Sequence, residues 1–573
     1  MAERTFSWIQ NPSSVSNLKK TVAAFVLDSP TNVNLRFELL PRLIDDEMIR
    51  ARFIEELSNA NMSIPYNDLK GKGPGSGSRR DAPCSGIIQA AITPQGVDRQ
   101  YTDDWTADGF LRWAVSIGFL DYCRESDCCS ITEIGRRFVN TEGDSYQENE
   151  ILRDAYLSYP PAIRILKLLK QFGHQTKFEL GSRLGFIGEA GFTSIPQNLY
   201  IAALCEASGN ERDRIRSNIE GSSDKYARMI AGWLIRVGWV SRTPKTVDTI
   251  VGEKSFSAKI AHAYEITLAG REILNHASGS SRHSQKPRLV LYEMLATKPE
   301  DKEYLRKRRA LIIQYINKSY RSLQDIQNFL HEKGFELSVA TIQDELTGLE
   351  YIGLNVKKDS QGKYRILDTI IGLSIPASSS VVISDITKTK DLVCERLKHV
   401  NHKYLSLIDL AVDGNANREF EMLTIDLLTN ELEYEGVRLG ESRKPDGIVS
   451  YQNQGVIIDN KAYSKGYRLP ISQADEMARY IEENQRRDVS LNSNSWWDNF
   501  NKNVETFYFL FISSQFTGNF KQQLEYIAQR VQIKGGAITA VNLLYFAEKL
   551  KSGNMTYPDS FRLFANAEIE INP

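Results

Sequence analysis

A pattern of apolar residues and glycine occurs twice in the first half of the chain, and such a repeat constrains the fold to similar modules in series. The pattern is W-x-x-x-x-G-aromatic-aliphatic, followed later by I-T-x-x-G-R. The two copies are "WAVSIGFL" from Trp113 with "SITEIGRRF" from Ser130, and "WLIRVGWV" from Trp233 with "EITLAGREI" from Glu265. Each copy predicts a helix that ends at a C-cap glycine, Gly118 or Gly238, followed by two strands. The longer spacing in the second copy indicates an insertion between its strands.

A third unit resembles the two copies without sharing their motif. Residues 304–353 predict three short amphipathic helices, the last with Ser338 as its N-cap, and a hairpin turn follows around residues 359–362. A helix followed directly by a two-stranded ribbon is typical of the end of a winged helix-turn-helix. The first half is therefore predicted as tandem winged helix-turn-helix modules, mainly α-helical with small β wings. Such modules either contact DNA or serve only as scaffolds for protein contacts.

Length and composition limit the classes of protein. The 573 residues are too many for one core and predict three or four domains. No stretch approaches the roughly 20 apolar residues that span a bilayer, and the first residues lack an apolar signal segment, so we expect a cytoplasmic protein without membrane contact. The six cysteines follow no paired ligand spacing, which disfavours a zinc site. The net charge of −1 means that any DNA contact must come from local basic patches.

The second half has a different pattern. From residue 391 onward, helical segments alternate with apolar strands, which predicts an α/β domain with a mixed central sheet. Small, polar and β-branched residues without a helical period precede it and predict a linker. The predicted divisions are residues 1–145, 146–283 and 284–372 for three N-terminal modules, 373–390 for the linker, and 391–573 for the α/β domain.

Polar residues stand at the end of a buried strand in the α/β domain. The segment "GVIIDNKAY" places Asp459 and Lys461 on one face of the strand with Asn460 between them, and Asp446 precedes the strand before it. A hairpin would bring Asp446 opposite Asp459, and two close carboxylates form a hard oxygen site suited to Mg²⁺. The lysine could then orient or help deprotonate a water for attack on phosphorus. Glu421 on the preceding helix is a further acidic candidate; the simpler interpretation is an Asp–Lys ion pair.

These residues follow the pattern of the PD-(D/E)xK nuclease superfamily. The segments "SRKPDG", "GVIIDNKAYSKGY", "LPISQADEMARYIEENQ" and "NSWWDNF" resemble the cleavage domain of the FokI family of type IIS restriction endonucleases, and "PPAIRILKLL" and "EGSSDKYARMI" extend the resemblance into the first half. The resemblance implies a type II site-specific deoxyribonuclease of a restriction-modification system. It also implies catalysis by Asp446, Asp459, Lys461 and Glu421, with Mg²⁺ held by Asp446, Asp459 and the backbone carbonyl of Asn460. The N-terminal modules would bind a short asymmetric DNA site, and the C-terminal domain would cut both strands at a fixed distance to one side.

Several features of the first half could contact DNA. The glycine-rich residues 71–84 lack the Lys-Ser/Thr pair of a P-loop and either deliver Arg79 to a base or phosphate, or form a solvated linker. Lys225 and Arg228 share one face near the start of a predicted helix, which suits a recognition helix or an exposed charged face. The basic run "YLRKRRAL" suits phosphate contact or solvation. The resemblance implies a larger set of site-reading residues, namely Gln10, Asn11, Arg79, Gln95, Trp105, Glu220, Lys225 and Arg228.

The resemblance leaves some properties open. Ser217 and Ile219 stand where the family pattern has asparagine and tryptophan, so the recognition sequence is open, with GGATG as the expectation. The implied partners are double-stranded DNA, a second copy that pairs transiently through Asp475 and Arg479 of the cleavage domain, and, functionally, a cognate DNA methyltransferase in a bacterial cytoplasm. The alternative is a sequence-specific DNA-binding protein with a nicking or degenerate nuclease domain.

Overall fold

The structure is a computed structural model of the chain. It describes residues 4–75, 77–78, 82–94, 99–220, 224–251, 254–277, 285–297, 300–377, 383–440 and 443–572, except for the side chains of residues 218 and 220. Within these ranges, no helix is both long enough and apolar enough to cross a bilayer.

The first module consists of short helices around a small antiparallel sheet with the strand order β1-β3-β2. Its helices are α1 (Val15–Ala23), α2 (Pro30–Asn34), α3 (Leu40–Leu43), α4 (Glu47–Leu57), α5 (Tyr66–Lys70), α6 (Ile87–Ala91), α7 (Asp104–Ser116) and α8 (Glu133–Val139). Its strands are β1 (Ile64–Pro65), β2 (Leu120–Cys123) and β3 (Cys128–Ile131).

The second module has the same succession of a long helix, two paired strands and a closing helix. Its helices are α9 (Tyr146–Ser158), α10 (Pro160–Phe172), α11 (Lys177–Gly181), α12 (Gln197–Glu206), α13 (Gly209–Glu220), α14 (Lys225–Arg236) and α15 (Leu268–Ala277). Its strands are β4 (Gln175–Thr176), β5 (Val240–Arg242), β6 (Lys245–Val251), β7 (Lys254–Ile260) and β8 (Ala263–Ile266). The hairpin β6–β7 lies between β5 and β8, and it is the insertion that the longer spacing predicted.

The repeated motif has one local structure in both modules. Gly118 and Gly238 follow α7 and α14 with φ values of +76° and +78°, in the left-handed region that favours glycine. The glycine of the I-T-x-x-G-R part touches the residue that follows the C-cap glycine. A β-carbon on Gly135 would lie 2.1 Å from the carbonyl oxygen of Phe119, and one on Gly270 would lie 2.2 Å from that of Trp239. The motif therefore repeats because the closing helix packs directly on the end of the preceding helix in each copy.

The two modules share one core. Trp113 on α7 and Trp233 on α14, the equivalent tryptophans of the repeat, stack with ring centroids 4.7 Å apart and planes 8° apart. They belong to one cluster of buried apolar residues that includes residues of both modules, from Phe6 to Ala277. The order of helix and strands follows the sequence prediction, and the assignment to the winged helix-turn-helix class stays a prediction.

The third module contains the three predicted helices and the predicted hairpin. Its elements are β9 (Arg288–Leu289), α16 (Lys302–Lys318), α17 (Leu323–Glu332), α18 (Val339–Tyr351), β10 (Val356–Lys358), β11 (Tyr364–Ile366) and β12 (Ile370–Ile371). Strands β10 and β11 pair antiparallel, and β9 pairs parallel with β12. The Ser338 hydroxyl accepts a hydrogen bond from the backbone N–H of Thr341 at 3.1 Å, which confirms the predicted N-cap of α18.

The basic run on α16 is not solvated. Arg306, Arg308 and Arg309 are 0%, 4% and 3% exposed, so the interpretation as a phosphate-contacting or solvated face is wrong for these three. Arg308 Nε donates to Glu345 Oε1 at 2.8 Å, and Arg309 Nε donates to Glu345 Oε2 at 2.5 Å. Buried guanidinium groups need such partners because an unpaired buried charge is very costly. The run therefore fixes α16 against α18.

The C-terminal domain is built on a six-stranded sheet. Its helices are α19 (Asp385–Arg396), α20 (Ser406–Leu410), α21 (Asn417–Asp426), α22 (Ile471–Arg486), α23 (Phe520–Val531), α24 (Ala540–Lys551) and α25 (Tyr557–Phe561). Its strands, in sheet order, are β13 (Glu435–Arg438), β14 (Gly447–Tyr451), β15 (Gln454–Lys461), β16 (Thr506–Ser513), β17 (Gly535–Thr539) and β18 (Ala567–Glu568). The first three strands pair antiparallel and the last four pair parallel, which confirms the predicted mixed sheet.

The start of this domain differs from the prediction. Residues 373–390 were expected to lack a helical period, yet α19 begins at Asp385, with the Ser384 hydroxyl accepting from the backbone N–H of Thr387 at 3.1 Å. Helix α19 contacts the third module, where Arg308 Nη1 and Asp391 Oδ2 are 3.0 Å apart. The contact explains the helix, because tertiary packing stabilises segments whose own propensity is weak.

Candidate active site and DNA-contact residues

The end of the β14–β15 hairpin brings together three of the predicted catalytic side chains. Gly447 pairs with Ile458 as the last pair of this antiparallel ladder, so Asp446 lies opposite Asp459 one residue further on. Asp446 Oδ2 accepts from the backbone N–H of Asn460 at 2.6 Å, and Lys461 Nζ donates to Asp459 Oδ1 at 2.8 Å. The strand alternation predicted from the sequence therefore places both carboxylates and the ammonium group at one point.

The electrostatics of the pair indicate a need for positive charge. Burial and the neighbouring charge of Asp459 raise the pKa of Asp446 well above its usual value, and burial likewise raises the pKa of Asp459. Although burial opposes the charged form of Lys461, both aspartates raise the pKa of this lysine, which stays an ammonium group at neutral pH. One ammonium group cannot balance two carboxylates.

The donor set fits a small hard cation. Mg²⁺ is commonly held by one or two carboxylates, with water and substrate oxygens in its remaining positions. Asp446 and Asp459 provide two such carboxylates at one point, and Asp459 is 5% exposed. Beside them, the Asn460 side-chain N–H group donates to Thr424 Oγ1 at 2.8 Å, while Asn460 Oδ1 is buried without a hydrogen-bond partner among the described residues.

Glu421 lies at the edge of this site. It is on α21, and its charge contributes to the raised pKa of Asp446, after burial and Asp459. Its carboxylate, however, accepts from Arg438 on β13 at 2.7 and 3.1 Å. The predicted further acidic residue is therefore near the pair and is held by a neighbouring arginine.

Glu476, which no sequence pattern singled out, faces the site from α22. Burial is the main cause of the raised pKa of Asp459, and the charge of Glu476 adds to it. Glu476 accepts from Tyr480 Oη and Gln473 Nε2, each at 3.0 Å. The sequence spacing could have indicated this residue. One face of α22 carries polar residues at positions i, i+3 and i+7, namely Gln473, Glu476 and Tyr480.

The predicted DNA-reading residues lie at the start of the chain and around α14. Gln10 Nε2 donates weakly to Tyr226 Oη at 3.4 Å, and the Asn11 side chain contacts the indole N–H of Trp105, which is 38% exposed. Gln10 and Lys225 also line one cavity of about 340 Å³. The structure therefore brings part of this set to one surface.

The remaining members are placed as follows. Arg228 lies on α14, close enough to His262 for its charge to act on this histidine. Burial and the Arg228 charge lower the pKa of His262 to about 4. Arg79 and Gln95 lie outside the described residues, as does the side chain of Glu220 at the end of α13. Of the two positions that depart from the family pattern, Ser217 is exposed and Ile219 is 3% exposed.

The C-terminal domain packs beside this surface. The cavity lined by Gln10 and Lys225 is also lined by Asp413, Asn415 and Glu419 of the C-terminal domain. A second cavity of about 350 Å³ lies between residues of α12 and α13 in the second module and the turn after β13. Residues between β13 and β14, which lead into the hairpin that carries the predicted catalytic residues, and the predicted DNA-reading surface are therefore neighbours in this arrangement.

The predicted dimer contacts, Asp475 and Arg479, are both partly exposed on α22. They do not form the intrahelical pair that their spacing allows. Asp475 Oδ1 accepts from Arg530 Nη1 at 2.9 Å, and Arg479 Nη2 donates to Glu476 Oε1 at 3.3 Å. Their side chains are 47% and 36% exposed, which leaves both accessible from solvent.

Comparison with known proteins accounts for nearly the whole chain. Four FokI family models match: recognition domain subdomain 1 over residues 4–141, recognition domain subdomain 2 over 148–282, the D3 domain over 295–361, and the cleavage domain over 383–570. The chain is 39% identical to the type II restriction enzyme FokI of Planomicrobium okeanokoites, with 99% of each chain covered. It is 30% identical to the type II restriction enzyme StsI of Streptococcus sanguinis, covering 95% of this chain and 92% of StsI.

Solved structures give the same result. The structure of restriction endonuclease FokI matches with a TM-score of 0.92 at 39% identity, over 99% of this chain and 100% of FokI. The structure of FokI bound to DNA matches with a TM-score of 0.94 over 100% of both chains. The fold, with N-terminal recognition domains and a C-terminal cleavage domain on a mixed sheet, and the sequence agree throughout. The chain belongs to the FokI family of type II restriction endonucleases.

Proposed function

We propose that this protein is a type IIS restriction endonuclease in which residues 1–372 bind a short asymmetric site in double-stranded DNA and residues 391–573 cut both strands. Cleavage requires Mg²⁺ and occurs at a fixed distance to one side of the site. GGATG is the expected recognition sequence. The observation that carries the proposal is the meeting of Asp446, Asp459 and Lys461 at the end of the β14–β15 hairpin, in the region that matches the FokI cleavage domain.

The two aspartates are the metal ligands in this proposal. Asp446 and Asp459 would hold Mg²⁺ together with the backbone carbonyl of Asn460, and the bound ion would supply a polarised water and neutralise charge on the phosphate. The raised pKa values of both carboxyls support this role, because two buried carboxylates repel each other until a cation is present. Glu421 and Glu476 complete the acidic surroundings.

Lys461 acts as a positioned cation. Its ammonium group is held 2.8 Å from Asp459 and its pKa is raised, so it donates hydrogen bonds rather than accepting a proton in the resting state. In this position it orients the attacking water and donates to the oxygens that gain negative charge as the phosphodiester bond breaks. The side chain is 19% exposed, and this limited exposure strengthens its interaction with the phosphate.

Site reading would use the surface around α14 and the start of the chain. Lys225 and Arg228 at the first turns of α14, with Gln10, Asn11 and Trp105 nearby, are proposed to contact base edges or phosphates. Arg79, Gln95 and Glu220 belong to the same proposal on the resemblance alone. Ile219 is buried in a cluster that it shares with residues of the C-terminal domain, so it would reach DNA only if that domain moved away.

A double-strand cut needs two active sites, and the described residues contain one Asp446–Asp459–Lys461 group. We therefore include transient pairing of two cleavage domains about a two-fold axis, which matches the antiparallel strands of DNA. Asp475 of one copy would pair with Arg479 of the other. In the single chain these two side chains are paired with Arg530 and Glu476, so dimerisation would exchange one set of partly exposed ion pairs for another.

Digestion of plasmid DNA with Mg²⁺, followed by sequencing of the ends, tests the whole proposal. The expected product is linear DNA with both strands cut at constant offsets from one asymmetric site. Nicked circles as the final product would favour a nicking enzyme, and specific binding without any cleavage would favour the degenerate nuclease. The Asp459→Asn variant is the control, since it removes one metal ligand with little change in size and should bind the site without cutting.

A further inference from the structure

A cluster of three potential metal ligands lies outside the catalytic site. It consists of Asp344 on α18 of the third module, Cys394 on α19, and His402 at the start of the short 3₁₀ helix His402–Leu405. Cys394 and His402 belong to the C-terminal domain, so the three side chains meet where this domain contacts the third module. Their ligand atoms all lie within 4.8 Å of one another. We call them the bridging cluster.

The geometry of the bridging cluster is close to that of a tetrahedral site. Cys394 Sγ is 3.4 Å from Asp344 Oδ2 and 3.7 Å from His402 Nδ1. Zinc bonds of about 2.0–2.3 Å at tetrahedral angles put neighbouring ligand atoms about 3.3–3.6 Å apart. Only the His402–Asp344 separation of 2.6 Å would have to widen.

The histidine is oriented as a ligand. His402 Nε2 is 3.1 Å from the backbone carbonyl oxygen of Leu397, an acceptor for its N–H group. A histidine that binds a metal usually donates its other ring N–H to such an oxygen, which fixes the ring and leaves the first nitrogen free for the metal. Here that first nitrogen, Nδ1, faces both the carboxylate and the sulfur.

We propose that Asp344, Cys394 and His402 bind one thiophilic divalent cation, with Zn²⁺ as the expected ion and water in the fourth position. The ligand types support Zn²⁺ over Mg²⁺, because a thiolate and an imidazole are poor ligands for the harder ion. No sequence pattern indicates this site, since its ligands do not follow a paired motif and one comes from a different module. Because the ligands belong to both parts of the chain, a bound ion would join the third module to the C-terminal domain.

The alternative is a metal-free ion pair. A protonated His402 that donates to Asp344 would also account for the 2.6 Å separation, with Cys394 as a neighbouring thiol of no further role. Metal binding would replace this pair, with loss of the imidazolium proton and the thiol proton to solvent. The two alternatives differ in whether the sulfur of Cys394 is a ligand, and this difference can be measured.

Titration of the full-length, metal-free protein with Co²⁺ tests the proposal. With Mg²⁺ in excess to occupy the carboxylate site, the visible bands of tetrahedral Co²⁺ and a thiolate-to-metal charge-transfer band in the near ultraviolet should saturate together at one equivalent, and Zn²⁺ should abolish both. Further Mg²⁺ should leave them unchanged. Wild-type protein without a thiolate band at one equivalent would overturn the proposal, independently of any variant and of the cleavage reaction.

Variants identify the ligands. Cys394→Ser, His402→Gln and Asp344→Asn should each weaken Zn²⁺ binding at least about 100-fold, since even changes beyond the ligands cost 10- to 100-fold. The matched control is Cys128→Ser, which removes a different thiol from the same protein. Cys128 lies opposite Cys123 in the β2–β3 hairpin. A band that persists in Cys394→Ser and disappears in Cys128→Ser would place the ion elsewhere and refute the bridging site.

Discussion

Replacement of Lys461 by alanine is expected to slow cleavage by two to three orders of magnitude. The Lys461 side chain is 19% exposed and its ammonium group lies 2.8 Å from Asp459. An exposed ion pair would be worth at most about 1 kcal/mol. A donor held in a water-poor site and directed at developing charge contributes about 2.7–4 kcal/mol to the transition state, or 10²–10³ in rate. Because the Lys461 side chain is mostly buried, we expect the larger contribution, and hence the larger loss of rate.

The same substitution should change the pH dependence. Burial raises the pKa of both aspartates, and Lys461 opposes this by lowering both values. Without the lysine the two pKa values rise further, so the carboxylates lose their protons, and become able to hold a cation, only at a higher pH. The acidic limb of the cleavage rate should therefore move to higher pH when Mg²⁺ is below saturation.

Single-turnover cleavage with enzyme in excess measures both effects, and anisotropy with a labelled duplex measures binding. Lys465→Ala is the matched control, because it removes an exposed lysine from the segment that follows β15 and should keep the wild-type rate and pH profile. DNA binding should be unchanged in both variants. A Lys461→Ala enzyme within threefold of wild type, or one that loses binding in step with cleavage, would refute the assignment.

Three further results are expected. Arg479→Asp should slow double-strand cutting without loss of site binding, and mixing it with Asp475→Arg should recover part of the rate; a mixture as slow as the single variants would exclude pairing through α22. Lys225→Ala should weaken binding to the specific site by about 1–3 kcal/mol if it reads a base, whereas an equal loss on unrelated DNA with a shallower salt dependence would indicate phosphate contact. Glu345→Gln should lower stability by about 3–5 kcal/mol, because two buried arginines share this carboxylate, and calorimetric melting should show at most about 1 kcal/mol for Glu150→Gln, whose ion pair with Arg153 is exposed on both sides.

Features that depend on neighbouring residues could be predicted from the sequence. The N-cap Ser338 and the C-cap glycines Gly118 and Gly238 are local, and the structure has all three as expected. The meeting of Asp446 and Asp459 also follows from local rules, because a tight hairpin fixes which residues lie opposite each other.

Features that depend on distant partners could not be predicted. The burial of Arg308 and Arg309 is caused by Glu345 on another helix, and nothing in the run "YLRKRRAL" indicates that partner. Glu476 approaches the site only because α22 packs beside the end of β15, and Arg438 holds Glu421 only in the folded sheet. In each case the sequence specifies the charge, and the packing of separate elements decides what the charge contacts.

The stack of Trp113 on Trp233 has a consequence for how such proteins can change their target over evolution. Both rings are almost fully buried, and each forms part of the wall against which the other packs. A first module recombined with a foreign second module would expose an indole and lose the common interior of the pair, so shuffling of whole modules would yield chains that fold poorly. New target sequences should therefore arise by substitution of single side chains on the surface, such as those around α14. We therefore expect the two modules to be inherited as one unit.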